Sequence, residues 1–201
     1  MNAEAPRETP TRWVEGMTFH SSDPQVRIEV ADSLHFIGRF QFDISNLADV
    51  DSFYFADATA GPYTRRLAFH FETQRPGRDF TYRFPAEPLV RLGEFDYYHD
   101  AFFGPQARLV AENPKADFSK VENFLQSQTL ELWEDAMWHR FMRTLDESRR
   151  SELLILYHED LRNVETPSAD LSAEGAKADQ WPKIAKELRL RALSSFRVTE
   201  G

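Results

Sequence analysis

Three stretches with one shared pattern decide the fold: LHFIGRFQFD (residues 34–43), RRLAFHFET (65–73) and DFTYRF (79–84). Apart from Ile37, which breaks the pattern, apolar and polar residues alternate in each of them, which is the period of a β-strand with one buried and one solvated face. The turn sequences AGP (60–62) and RPG (75–77) favour hairpins, and therefore an antiparallel sheet. We expect the following rings to be buried together on one face: Phe36, Phe40, Phe69, Phe71 and Phe80.

The rest of the chain supplies elements that would cover such a sheet. The strands lie at about residues 25–84, and an apolar run at about 152–160 is interpreted as a further, central strand. Helical spacing of apolar residues predicts a long helix at about 118–147 and a C-terminal helix at about 180–197. The predicted fold class is α+β, a mainly antiparallel aromatic-rich sheet or partly open barrel covered by helices. Residues 1–17 are interpreted as a flexible leader, and residues 18–201 as a single domain.

Composition and motifs exclude several classes of function. The formal net charge of −9 argues against a nucleic-acid backbone or an anionic membrane as partner, because both require a basic surface. The chain has no cysteine, which excludes disulfides, thiolate catalysis and cysteine-bound metal centres. There is neither a signal-like apolar segment nor a run of about 18 apolar residues, so a cytoplasmic protein is expected. No phosphate-binding loop, GxSxG, HExxH or EF-hand sequence occurs, and we assign no cofactor and no metal.

The end of the predicted central strand forms the first candidate site. His158 and Asp160 are two positions apart, so a strand would place both side chains on the same side. A histidine oriented by a carboxylate can act in acid–base catalysis, and the two residues could also ligate a metal if a third ligand joined them. The alternative is that the sequence HED merely ends the strand in solvent.

The polar side of the aromatic strands is a second candidate. Arg39, Arg66, His70 and Glu72 stand opposite the apolar positions of their strands, and strand pairing would collect them into a patch suited to a carboxylate or phosphate. His70 and Glu72 also form a second histidine–carboxylate pair. One alternative is a solvated sheet face with weak cross-strand charge pairs. Another is the interior of a ligand-binding barrel, with polar residues among aromatic rings.

Aromatic residues make up 13% of the chain, more rings than a small core requires. Tyr98 and His99 belong to the segment EFDYYHDAFFG (94–104), which is interpreted as a structured loop. Trp133 and Trp138 widen the apolar stripe of the predicted long helix. These rings either close the open end of the sheet or line a pocket.

Three functions are consistent with these features. The leading hypothesis is binding of a small apolar or aromatic molecule in a pocket between the sheet and the helices. Its candidate contacts are Arg39, Arg66, His70, Glu72, Tyr98, His99, Trp133 and Trp138. The second hypothesis is an enzyme that uses His158 with Asp160, or His70 with Glu72, as acid and base. The third is a homodimeric or other protein-interaction module that uses exposed aromatic rings.

Overall fold

The computed structural model describes residues 10–199, which form two sheets and four α-helices. The strands are β1 (Arg12–Glu15), β2 (Thr18–Ser22), β3 (Gln25–Val30), β4 (His35–Ile44), β5 (Ala48–Ala56), β6 (Arg65–Gln74), β7 (Leu89–Leu92), β8 (Phe95–Gly104), β9 (Ala136–Thr144), β10 (Ser151–Asp160) and β11 (Phe196–Thr199). The helices are α1 (Gln106–Glu112), α2 (Asp117–Ser127), α3 (Ser168–Leu171) and α4 (Trp181–Ser195).

Both sheets are antiparallel, so the predicted α+β class is confirmed. The small sheet has the order β1-β2-β3-β11, and the large sheet has the order β4-β5-β6-β10-β9-β8-β7. The large sheet is open, with β4 and β7 as its edges. The strand predicted near 152–160 is confirmed as β10, which pairs with both β6 and β9 at the centre of that sheet. The C-terminal helix is confirmed as α4.

Different layers cover the two faces of the large sheet. The core face, which carries Phe53, Phe69 and Phe71, packs against the small sheet and α4. Phe19 of β2 is fully buried, and its ring centroid lies 4.9 to 5.5 Å from those of the three rings. Each large side chain removed from water in this way contributes about 1.5–3 kcal/mol. The opposite face, which we call the cavity face, is covered by α1, α2 and residues 128–135.

The helix predicted at 118–147 is wrong beyond Ser127, where α2 ends. Residues 136–144 are instead strand β9, paired with β8 and β10. Met137 and Phe141 are four residues apart, a spacing that suits one side of a helix and also one side of a strand. His139 lies between them on the same face and is only 2% exposed. Because a polar residue occupies a buried position, the sequence of this strand does not show the usual alternation of apolar and polar residues.

A β-bulge changes the predicted register of β4. Its pairing with β5 shifts between Phe36 and Gly38, where Ile37 is an extra residue without a partner. Residues after the bulge therefore point to the face opposite to the one that simple alternation predicts. Phe36 precedes the bulge and stays beside Phe55 of the core face, but it is 40% exposed because β4 is an edge strand. Phe40 lies on the cavity face, where its ring stacks on Phe124 of α2 at 4.8 Å between centroids. The prediction that these two rings share one buried face is wrong.

Among the remaining rings, Phe69 and Phe71 are confirmed on the core face, at 0% and 1% exposure. Phe80 is half-buried in residues 79–88, which contain no strand although all of them are described. The backbone N–H of Tyr82 donates to the carbonyl of Arg149 at 2.9 Å, which fixes this segment against the β9–β10 connection. β3 belongs to the small sheet, so residues 25–84 do not form one sheet as predicted.

Two segments predicted to lack strands contain them. Arg12–Glu15 of the predicted leader is β1, which pairs with β2 in the small sheet. The first nine residues of that leader lie outside the described residues. The aromatic segment at 94–104 is β8 rather than a loop, and its alternation places Tyr98 and His99 on opposite faces.

Candidate functional site

A cavity of about 430 Å³ lies between the cavity face of the large sheet and helices α1 and α2. Its wall is mainly aromatic and aliphatic, with contributions from Phe42, Tyr54, Phe102, Trp138, Leu154 and Leu156. Ionisable side chains also reach the wall, among them Arg66, His70, Glu72, Glu122, Arg140 and His158. The volume lies in the range of about 300–1,000 Å³ that small-molecule sites occupy.

Strand pairing explains why these polar groups meet. In β6, Arg66, His70 and Glu72 alternate with rings of the core face, so all three point to the cavity face. The antiparallel register sets His158 of β10 opposite Arg66 on one side and opposite Trp138 on the other. The central strands of the sheet therefore contribute both polar and aromatic side chains to the cavity wall.

Arg66 is the centre of a buried polar network. Its side chain is 3% exposed, and Nη2 forms an ion pair with Oε1 of Glu122 at 2.6 Å. Its Nε donates to Nδ1 of His158 at 2.6 Å, and Nη1 donates to the hydroxyl of Tyr63 at 3.4 Å. Burial by itself lowers the pKa of Arg66, but the charge of Glu122 and the other polar neighbours raise this pKa above its usual value. The guanidinium is therefore charged inside the protein.

Arg66 also fixes the protonation state of His158. A guanidinium nitrogen only donates hydrogen bonds, so Nδ1 of His158 must carry the lone pair and Nε2 the proton. Burial, and then the positive charge of Arg66, lower the pKa of His158 well below its usual value, which keeps the ring neutral. Within residues 10–199, no hydrogen-bond partner faces Nε2.

Helices α1 and α2 supply the acidic part of the network. Glu122 of α2 is 1% exposed, and its Oε1 accepts a hydrogen bond from Nε2 of Gln106 at 2.6 Å. Gln106 is the first residue of α1 and is also buried. The ion pair with Arg66 thus connects both helices to the central strands. A buried carboxylate without such a partner would be strongly destabilising.

Another part of the wall holds His70 between a hydroxyl and a carboxylate. Its Nδ1 lies 2.8 Å from Oγ of Ser52, and its Nε2 lies 2.8 Å from Oε1 of Glu72. The order hydroxyl, imidazole, carboxylate is that of a serine-hydrolase triad. Ser52 is 0% exposed, however, so a substrate carbonyl cannot reach its hydroxyl. The two partners orient His70 rather than activate a nucleophile.

Glu72 faces a second carboxyl group. The β6–β10 register places Glu152 directly opposite, and Glu152 is 5% exposed. Burial, and then the charge of Glu72, raise the pKa of Glu152 to about 8. Glu152 therefore keeps its proton at neutral pH. The hydroxyl of Tyr82 also donates to Glu72, at 3.2 Å.

Arg140 completes the wall on the β8–β9 side. Its guanidinium donates to both carboxylate oxygens of Asp100, at 2.8 and 2.6 Å. It also lies 4.7 Å from the ring centroid of Phe102, which stacks on Trp138 at 4.9 Å. The charge of Arg140 is thus neutralised by a bidentate partner beside an aromatic platform.

Five of the predicted site residues come together in the cavity wall: Arg66, His70, Glu72, Trp138 and His158. His70 and Glu72, predicted as a pair, are hydrogen-bonded to each other. His158 borders the cavity as predicted, but its partner is the guanidinium of Arg66 rather than a carboxylate.

The other predicted site residues lie outside this wall: Arg39, Tyr98, His99, Trp133 and Asp160. Asp160 accepts from the backbone and the guanidinium of Arg162, at 2.8 and 2.6 Å, and does not pair with His158. Arg39 binds Asp51 at 2.6 and 2.9 Å, because the bulge in β4 turns it toward the core side of the sheet. Trp133 is buried behind Arg66, with its ring 5.2 Å from the guanidinium.

His99 lies on the core face, near α4. Its ring stacks on His139 with 5.2 Å between centroids. Neither ring nitrogen of His139 has a hydrogen-bond partner among the described residues. Burial, followed by the charges of His99 and Arg189, lowers the pKa of His139 to about 4. This pair belongs to the core and does not contribute to the cavity.

The polar side chains of the cavity wall that the sequence analysis does not predict include Gln106, Asp117, Glu122 and Arg140. Glu122 carried a usable signal, since it sits within an apolar stripe that includes Val121 and Leu125, where a charge requires a buried partner. Arg140 carries none, because the apolar spacing of its segment also fits a helix and does not reveal the pairing with β8.

Comparisons with known proteins identify no relative: no family model, no curated protein and no solved structure matches this chain. Within residues 10–199, no cluster of three or more His, Asp or Glu side chains is arranged to hold a metal ion. In the same part of the chain, no helix has the length and apolar content required to cross a membrane.

Proposed function

We propose that this protein binds a small apolar or aromatic molecule in the cavity between the large sheet and helices α1 and α2. The supporting observation is the cavity itself, about 430 Å³ in volume, with an apolar wall and a few oriented polar groups. Small-molecule sites have this composition. An apolar molecule that filled this space would remove its wall from water, which favours binding.

The aromatic part of the wall suits a flat ligand. Phe102 and Trp138 stack with their planes 20° apart. Phe102 and Phe118 both line the cavity and are 39% and 41% exposed, so they leave apolar surface in contact with water. A ligand that covered these rings would gain about 25 cal/mol for each Å² of apolar surface removed from water.

A thermal-shift screen with aromatic and fatty compounds tests the proposal, because a ligand that binds only the native state raises its melting temperature. At a ligand concentration 100 times Kd, the stabilisation is about 2.7 kcal/mol. For a chain of 201 residues, this corresponds to an increase of roughly 5–11 °C. A flat screen across both compound classes would contradict the proposal.

A variant that fills the cavity locates the binding site. Leu154→Trp places a larger side chain in the wall from β10 and is expected to abolish the ligand-induced shift while the protein remains folded. Leu190→Trp, at a 61% exposed position of α4, is the matched control and should retain the shift. If Leu154→Trp retained the full shift, the ligand would bind elsewhere.

The His70–Glu72 pair favours acid–base catalysis as a second candidate function. Both side chains reach the same cavity, and the pKa of the adjacent Glu152 is raised to about 8 by burial and by Glu72. A bound molecule would then lie beside His70 and Glu72, with the protonated Glu152 opposite Glu72 in the strand pairing. For compounds found by the screen, His70→Gln should abolish turnover with little change in binding or melting temperature. Absence of turnover by the wild-type protein with every bound compound would count against this candidate.

A further inference from the structure

Every ionised side chain in the cavity wall already has a polar or oppositely charged partner. Arg66 pairs with Glu122, Arg140 with Asp100, and Asp117 with Lys120, at shortest distances of 2.6, 2.6 and 3.2 Å. Glu72 accepts hydrogen bonds from His70 and Tyr82. A charged ligand would have to break one of these pairs or enter without a counter-charge, and both are costly in an apolar cavity. The wall therefore favours an uncharged ligand.

The Arg66–Glu122 ion pair presets one hydrogen-bond donor in this wall. Because Arg66 occupies Nδ1 of His158, the imidazole presents Nε2–H as a donor and cannot switch to the other tautomer. His158 is 9% exposed and lines the cavity. Its Nε2 remains unpaired by any residue between 10 and 199. A ligand in the cavity would remove water from this N–H and would have to replace the hydrogen bond.

The same ion pair presets one acceptor. An ionised carboxylate only accepts hydrogen bonds, so Gln106 must direct its NH₂ group toward Glu122. Its carbonyl oxygen Oε1 is then directed away from Glu122, and no donor within the described residues satisfies it. Gln106 is 3% exposed and lines the cavity. Arg66 thus controls a donor through His158, and Glu122 controls an acceptor through Gln106.

We infer that the cavity selects an uncharged aromatic ligand that carries both a hydrogen-bond acceptor, for Nε2 of His158, and a donor, for Oε1 of Gln106. Aromatic carboxamides, lactams and phenols have this combination. The inference rests on the proposed function, because it specifies the occupant of the same cavity. Selectivity arises because a ligand without these groups would leave two buried polar atoms unpaired.

Four naphthalene derivatives that differ only in their polar group test the inference: naphthalene carboxamide, naphthoate, naphthylmethylamine and naphthalene. Their affinities are measured by calorimetry at neutral pH with the full chain. The uncharged carboxamide is expected to bind at least about tenfold more tightly than the anion, the cation and the hydrocarbon. Naphthalene still binds through its apolar surface.

Substitutions of His158 test the donor. His158→Phe should weaken carboxamide binding about tenfold while changing naphthalene affinity by no more than about twofold. His158→Gln should restore carboxamide binding, because an amide can accept from Arg66 and donate to the ligand. His35→Phe on the exposed edge strand β4 is the control and should leave all affinities unchanged. The ratio of carboxamide affinity to naphthalene affinity distinguishes the two causes: a lost hydrogen bond lowers this ratio, whereas a general loss of folding weakens both affinities.

The outcomes distinguish the two proposals. Tightest binding of the anion or the cation, or equal binding of carboxamide and naphthalene, would overturn the inferred ligand class and leave the cavity as a binding site. Equal weakening of carboxamide and naphthalene by His158→Phe would assign His158 a structural role and also overturn the inference. If none of the four compounds binds the wild-type protein but other compounds raise its melting temperature in the screen, only the inference fails. If that screen is flat as well, the proposed function fails with it.

Discussion

Replacing Glu122 with Gln is the most informative test of the buried network. The substitution preserves shape but removes the counter-charge of Arg66. The side chain of Glu122 is 2% exposed and that of Arg66 is 3% exposed, and Oε1 of Glu122 lies 2.6 Å from Nη2 of Arg66. In the variant, the guanidinium would remain charged, because its pKa lies far above neutrality, and it would be buried without a carboxylate.

The expected cost follows from this burial. Removing one partner of a buried ion pair typically destabilises a protein by about 3–5 kcal/mol, since the other charge remains uncompensated. For a domain of 150–250 residues, each kcal/mol lowers the melting temperature by about 2–4 °C. We therefore expect Glu122→Gln to lower the melting temperature by roughly 6–20 °C.

Thermal and urea denaturation measure this change, with Glu112→Gln as the matched control. Glu112 lies in α1, is 62% exposed and approaches Arg108 only to 3.8 Å, so its loss should cost no more than about 0.5 kcal/mol. The double variant Arg66→Met/Glu122→Leu should recover most of the stability lost by Glu122→Gln, because no unpaired charge remains. Equal effects of Glu122→Gln and Glu112→Gln would refute the buried ion pair.

Three further predictions concern the core and the pH dependence of stability. Phe69→Ala should cost about 3–5 kcal/mol, whereas Phe36→Ala should cost much less because Phe36 is 40% exposed; urea denaturation compares them. Burial lowers the pKa of His139 to about 4, so as the pH falls this histidine is protonated in the unfolded chain before it is protonated in the folded chain. Wild-type stability should therefore fall relative to His139→Gln as the pH decreases from about 6.5 to 4. Burial and Glu72 raise the pKa of Glu152 to about 8, so as the pH rises the folded chain loses this proton at a higher pH than the unfolded chain does. Wild-type stability should therefore fall relative to Glu152→Gln as the pH rises from about 4.5 to 8. For either titration, a stability difference that does not change across its window would contradict the pKa shift.

The centre of the large sheet was predictable because two strands follow one period throughout. β6 alternates without interruption, so the burial of Phe69 and Phe71 and the opposite placement of His70 and Glu72 followed directly. β10 is apolar on both parities, as expected for a strand covered on two faces. In both strands the local pattern agrees with the tertiary environment.

The failures occur where local pattern and tertiary environment differ. In β9, Met137 and Phe141 satisfy a helical and a strand period equally, and the buried His139 removes the evidence that would favour the strand. In β4, the inserted residue Ile37 moves every later residue of the strand to the opposite face. The sequence shows only one apolar residue out of phase, which does not distinguish a bulge from an exposed apolar side chain. The first error left β9 and Arg140 out of the predicted sheet, and the second placed Arg39 in the wrong patch.

The candidate site was the least predictable part, for a reason specific to alternation. A period of two shows that Phe69 and His70 lie on opposite faces, but it does not show whether the polar face meets water or another layer of protein. That depends on Glu122, which is more than fifty residues away in sequence and provides the counter-charge that lets Arg66 be buried. Without that carboxylate the polar face would favour solvent, and with it α2 can close over the sheet. The covering helix and the polar strand face therefore determine each other, and only their contact turns a patch expected to be solvated into the wall of a cavity.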